Sequence, residues 1–184
     1  MATDIRRARL KAATKYKPAK TRVLFIAESP PQASERYFYF ANVKGHDALW
    51  VGLMKALYKS EWGETKKERK RKPYWLAKFQ NCGFQLIDAV KEPLGGKHDS
   101  RVLRIKAEVP ALISKIREIA PHEGIVLIKK SVHQVLFRQL KDAGCSVINK
   151  TMLPFPARHQ KRFIKEVRRL IKSGSLQITA LRLG

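Results

Sequence analysis

The sequence predicts an α/β fold: a three-layer α/β/α sandwich around a central, mostly parallel four-stranded sheet. Two patterns carry this. Apolar runs of strand length recur at 23–27, 84–90, 124–128 and 145–149, and segments of helical period separate them. Strands alternating with helices fold as a parallel sheet covered on both faces. The length fits one domain: 184 residues can bury a real core, and two domains would each be small.

Residues 1–22 carry eight Lys or Arg and a single acid, Asp4, with few apolar positions. They read as a basic flexible arm over 1–21 holding at most a short helix, with 22–184 as the single folded domain. Arms of this kind grip phosphates without reading sequence; a simple disordered tail is the alternative.

Val23 to Ala27 are consecutive apolar residues, the mark of a strand buried on both faces. Glu28-Ser29-Pro30-Pro31 ends it, because two prolines cannot extend a strand. Ligands bind beyond the carboxyl ends of strands in open α/β sheets. Glu28, Ser29 and Pro30, with the following Tyr37, Phe38, Tyr39 and Phe40, therefore mark a candidate pocket. The alternative is an ordinary turn whose aromatics enter the core.

Asp47 suits the N-cap of a helix in which Leu49, Leu53, Ala56 and Leu57 recur at helical spacing, and His46 reads as a loop residue. Six cations then fill the seven positions 66–72, directly before Pro73-Tyr74-Trp75. Lys66, Lys67, Arg69, Lys70, Arg71 and Lys72 beside aromatics suit phosphates and stacked bases. A solvated charge run is the alternative. After a short helix over 74–81, the second strand carries Asp88 inside it or at its end. A carboxylate is unexpected there unless paired or functional.

Ser100 suits the cap of a helix through Ile105, and Pro110 marks a kink or the first turn of a second helix. The third strand follows at 124–128. Ser131 is placed to cap the next helix, with Val132, Val135, Leu136 and Leu140 inward and His133 outward. After the fourth strand, Pro154 and Pro156 lock a loop that enters a last helix over roughly 158–172. Phe163, Ile164, Val167, Leu170 and Ile171 form its apolar face. Its other face, with Arg158, Lys161, Arg162 and Lys165, is almost wholly cationic, whereas a solvated face normally mixes signs. It reads as a phosphate-contacting surface. Residues 176–183 suggest an added edge strand.

Charge narrows the function. With 39 Lys and Arg against 15 Asp and Glu, the chain carries a net +24, which calls for a polyanionic partner. Nucleic acid is the first candidate, with an anionic membrane or ribosomal surroundings as the alternatives. Cys82 and Cys145 form no CxxC or Cys/His cluster, so they read as free thiols of a reducing, cytoplasmic compartment, with no metal and no cofactor. No apolar run reaches a membrane-spanning length, and no secretory h-region follows the basic N-terminus.

These residues resemble the uracil-DNA glycosylase superfamily. Its first motif, Gly-Glu-Ala-Pro-Gly or Gly-Glu-Ala-Pro-Pro in several branches, stands here as Ala27-Glu28-Ser29-Pro30-Pro31. Its last motif, often His-Pro-Ser-Pro, stands as Leu153-Pro154-Phe155-Pro156. The base-stacking aromatic falls in range of Phe38, Tyr39 and Phe40, and Asp88-Ala89-Val90-Lys91 matches a second-strand end that often reads Asn-Val-Val-Lys. The resemblance implies excision of a damaged, deaminated base. Glu28 and Asp88 would be the catalytic carboxylates. Ser29, Pro30, Phe38, Tyr39, Phe40, Pro154, Pro156 and His159 would form the base pocket. The chain departs from the pattern at Leu153, where the motif histidine is missing, and at Ala27. An inactive nucleic-acid-binding protein on the same fold is the alternative.

Overall fold

The computed structural model describes residues 2–43, 45 and 47–178; His46 and residues 179–184 lie outside them, and with them most of the expected tail strand. Three parallel strands, β1 (Val23–Ala27), β2 (Phe84–Asp88) and β3 (Gly124–Leu127), form one sheet in the order β2-β1-β3. The register pairs Val23 with Phe84 and Gly124, and Ala27 with Asp88.

Strand β1 alternates its side chains between two cores, as a strand buried on both faces must. Val23, Phe25 and Ala27 join Trp50, Leu53, Trp75, Phe79 and Phe163 on one side. Leu24 and Ile26 join Ile105, Leu112, Ile116, Leu136 and Leu140 on the other. The first core is covered by α2 (Ala48–Leu57), α4 (Lys72–Asn81) and α7 (Pro156–Lys172). The second is covered by α5 (His98–Ile119) and α6 (Lys130–Asp142). Between α2 and α4, α3 (Thr65–Lys70) carries most of the cationic run. Helix α2 packs on α7 closely enough that a Cβ on Gly52 would stand 2.9 Å from Pro156 Cβ, so glycine is required there. Pro110 lies inside a continuous α5 rather than opening a second helix.

Two expectations change. The first segment folds as α1 (Ala2–Lys15), a helix that brings Arg9, 8% exposed, into the protein, with Tyr16 buried just past its end. The sheet has three strands, not four. Residues 145–153 make two isolated parallel bridges with β3 and the residue after it, Ile125 with Val147 and Ile128 with Leu153. Between the two bridges the chain advances three positions from Ile125 but six from Val147, so no continuous ladder can form. The buried Asn149 side chain fills the gap. Its Oδ1 accepts from Leu127 N at 2.8 Å, and its Nδ2 donates to Leu127 O and Thr151 O at 3.0 Å each. The opposite edge is closed in the same way. Tyr39 Oη accepts from Leu86 N at 2.7 Å and donates to Leu86 O at 3.1 Å. A side chain thus satisfies backbone groups on each outer strand.

Candidate functional site

The parallel register gathers Glu28, Asp88 and Lys129 at the carboxyl ends of β1, β2 and β3. The chain leaves β1 for β2 on one side and then crosses to β3 on the other, so the topological reversal lies between β1 and β3. Ligands of open α/β sheets bind at such a reversal.

Glu28 fills this crevice and is 7% exposed. Its Oε2 pairs with Lys129 Nζ and lies 3.8 Å from Arg101 Nη1, while its Oε1 accepts from Ser131 Oγ at 2.5 Å. Ser131 was expected to cap α6; it binds Glu28 instead, and Lys129 occupies the cap position. Two cations face one carboxylate, which leaves the crevice with an excess positive charge. Lys129 holds φ +87° and ψ 145°, a conformation that glycine adopts freely and that costs other residues about 1–3 kcal/mol. Its N–H donates to Leu153 O at 3.0 Å, and its ammonium lies 5.7 Å from the centre of the half-buried Phe155 ring.

Asp88, one strand away, is half-buried. Among the described residues no hydrogen bond or ion pair reaches its carboxylate. Burial pushes its carboxyl up to about 7, against the pull of Lys115 and Arg9 toward the charged form. Burial, with Asp88 adding to it, raises the Tyr37 hydroxyl, and burial lowers the Lys115 ammonium. Arg9 reaches in from α1: its Nη2 donates to Pro31 O at 2.7 Å, its guanidinium lies 5.9 Å from the Tyr37 ring centre, and its buried Nε has no hydrogen-bond partner among the described residues. Ser29 Oγ accepts from Leu94 N at 3.2 Å, which ties the loop after β2 to the loop after β1.

Burial corrects part of the expected base pocket. Phe38 and Tyr39 are 4% and 1% exposed and belong to the core, so neither ring can stack on a base without unfolding its surroundings. Phe40 stays half-buried, Pro30 and Pro156 are buried, and Pro154 is half-buried. His159 is exposed at a kink in α7, and Leu153 points into the core. Of the flat groups near the crevice, Tyr37 and Phe155 remain reachable.

The cationic run divides. Lys66, Lys67 and Lys70 are exposed and Arg69 is half-buried. Arg71 pairs with Glu68 at 3.3 Å and lies 4.6 Å from the Tyr74 ring centre. Lys72 is corrected outright: it is 2% exposed and donates to Asp47 Oδ2 at 2.6 Å and Tyr37 O at 3.2 Å, so it cannot meet a phosphate. On α7, Arg158, Lys161, Arg162 and Lys165 all face solvent.

A cavity of about 920 Å³ lies away from this chemistry, between α1 and residues 39–42, and no acid lines it. A smaller one of about 450 Å³ is lined by His98, Lys130, His133, Gln134 and Met152, next to the Lys129–Ser131 turn. The convergence of titratable groups makes the strand ends the stronger candidate. No described residues gather three His, Cys, Asp or Glu side chains as metal ligands, and no described helix is long and apolar enough to cross a membrane.

Sequence reasoning missed Lys129, Arg101, Arg9 and Lys115. Lys129 carried a usable signal, since it follows a strand as Glu28 does. The other three sit on helices, and only the packing aims them at the strand ends. Compared with known proteins, the chain matches no family model and no curated relative.

Proposed function

We propose that this chain is a DNA glycosylase-like protein that excises a damaged, deaminated base by hydrolysing its N-glycosidic bond. One arrangement carries the reading: Asp88, which has no hydrogen bond or ion pair among the described residues and is pushed up to about 7 by burial, stands one strand from a crevice rich in cations. A carboxyl with that range is a general base usable near neutral pH.

The base must first leave the stack, which costs a few kcal/mol, least for a damaged pair. The exposed Lys66, Lys67, Lys70, Arg158, Lys161, Arg162 and Lys165 supply phosphate contacts for this. In the reaction the C1′–N bond breaks and its electron pair leaves with the base. A water oxygen bonds to C1′, and the water proton passes to Asp88. Glu28 is already spent on Lys129, Ser131 and Arg101, so its role is to position them. No step calls on a metal or cofactor, and a cytoplasmic setting suits the two free cysteines.

The burial of Phe38 and Tyr39 favours a second reading, a protein on this fold that binds nucleic acid without cutting the glycosidic bond. A base-release assay separates the two. Single- and double-stranded oligonucleotides carrying uracil, hypoxanthine, xanthine or mismatched thymine are incubated with protein, and abasic sites are then broken with alkali. The glycosylase reading expects release that rises with pH to a plateau above about 7. It also expects a fall of about 10²–10⁴-fold in Asp88→Asn. Binding without release from any substrate would establish the second reading.

A further inference from the structure

We infer that Lys129 is a catalytic residue whose ammonium stabilises the departing base anion. The inference rests on the glycosylase reading and assigns a role within it that neither carboxylate can fill. Breaking the C1′–N bond leaves negative charge on the base, and a fixed donor aimed at that charge lowers the barrier.

Four features single out Lys129 among the cations at the strand ends. It stands at the topological reversal of the sheet, where a ligand of such a sheet is expected. Its backbone holds a conformation suited to glycine, and such strain collects at functional sites. Its ammonium has three N–H donors; Glu28 takes one, and the side chain is 25% exposed, so donors remain for a ligand. The Phe155 ring lies beside it, so a planar anion lying on that ring would meet the ammonium in one seat. Arg101 and Ser131 stay on Glu28 meanwhile and keep its charge compensated.

The test compares wild type with Lys129→Gly, Lys129→Met and Lys129→His in single-turnover base release. Lys129→Gly relieves the backbone strain, so it is expected to melt no lower than Lys129→Met. Both are expected to release base at least 100-fold more slowly than wild type. The deficit is expected to shrink when uracil is replaced by 5-fluorouracil, whose anion is easier to form. Lys129→His is expected to add a falling limb as pH rises through the ordinary imidazole range, near 6.5, so that its release passes through a low maximum where wild type climbs to a plateau. A purely structural role would leave the deficit equal for both bases and add no such limb to the pH profile; either result overturns the inference while the glycosylase reading stands. Wild-type protein that releases no base removes the reading and the inference together.

Discussion

Glu28 and Asp88 end adjacent strands of one sheet, yet their surroundings differ in kind. Glu28 is nearly sealed from water and holds two cations and a hydroxyl. Asp88 sees more solvent but has no direct partner among the described residues, and its proton is held up to about 7. Burial alone therefore does not decide which carboxylate is poised to react. A buried acid with matched donors is an anchor that fixes its neighbours. An acid with only distant cations carries an unstable charge, and such a group exchanges protons near neutrality. Two other acids belong with the anchors: the buried Glu68 accepts from Trp75 Nε1 at 2.6 Å and pairs with Arg71, and the half-buried Asp47 pairs with Lys72.

The contrast breaks most visibly at Glu28. Glu28→Ala strands Lys129 and Arg101 beside each other without their shared counter-charge, and a loss of about 3–5 kcal/mol is expected in urea unfolding. A loss under about 1 kcal/mol would mean that the crevice does not depend on its carboxylate.

Asp88→Asn should act with the opposite sign. Between the ordinary aspartate range near 4 and about 7, folded Asp88 keeps a proton that the unfolded chain gives up. Wild-type stability therefore falls as pH rises through that window, and it stays level above it on this account. The amide carries no such penalty. Asp88→Asn is expected to be about 2 kcal/mol more stable than wild type at pH 8 and close to equal at pH 4, since solvent reaches part of the group and softens the cost. Equal stability at both pH values would place Asp88 with the anchors.

The smallest effect sharpens the comparison. Arg9 pulls the Asp88 carboxyl toward its charged form. Arg9→Met is expected to raise the Asp88 midpoint further, read from the carboxyl carbon shift in an NMR titration. A midpoint that moves down would remove α1 from the electrostatics of the site.

Much of this was legible in the chain. Val23 to Ala27, ended by two prolines, located the central strand and Glu28; the apolar run before Asp88 located the second carboxylate. The alternative reading of the aromatics was the better one for Phe38 and Tyr39. Lys72 was not legible, because nothing in a run of like charges marks the one member that a distant Asp47 draws inward. Arg9 was hidden for the same reason, since a basic segment with sparse apolar residues does not reveal which side chain will be buried.

The sequence by itself determined the alternation of strands and helices, the parallel order and the acids at the strand ends, because these follow from local period and from residues that stop a strand. Only the tertiary structure decided how many strands there are, since that depends on how the outer edges are satisfied. Asn149 and Tyr39 close those edges with side chains, in hydrogen bonds that span 22 and 47 residues. Tertiary contact also decided which acid would be an anchor. Lys129 and Ser131 lie more than a hundred residues beyond Glu28, and no local pattern states that they will meet it.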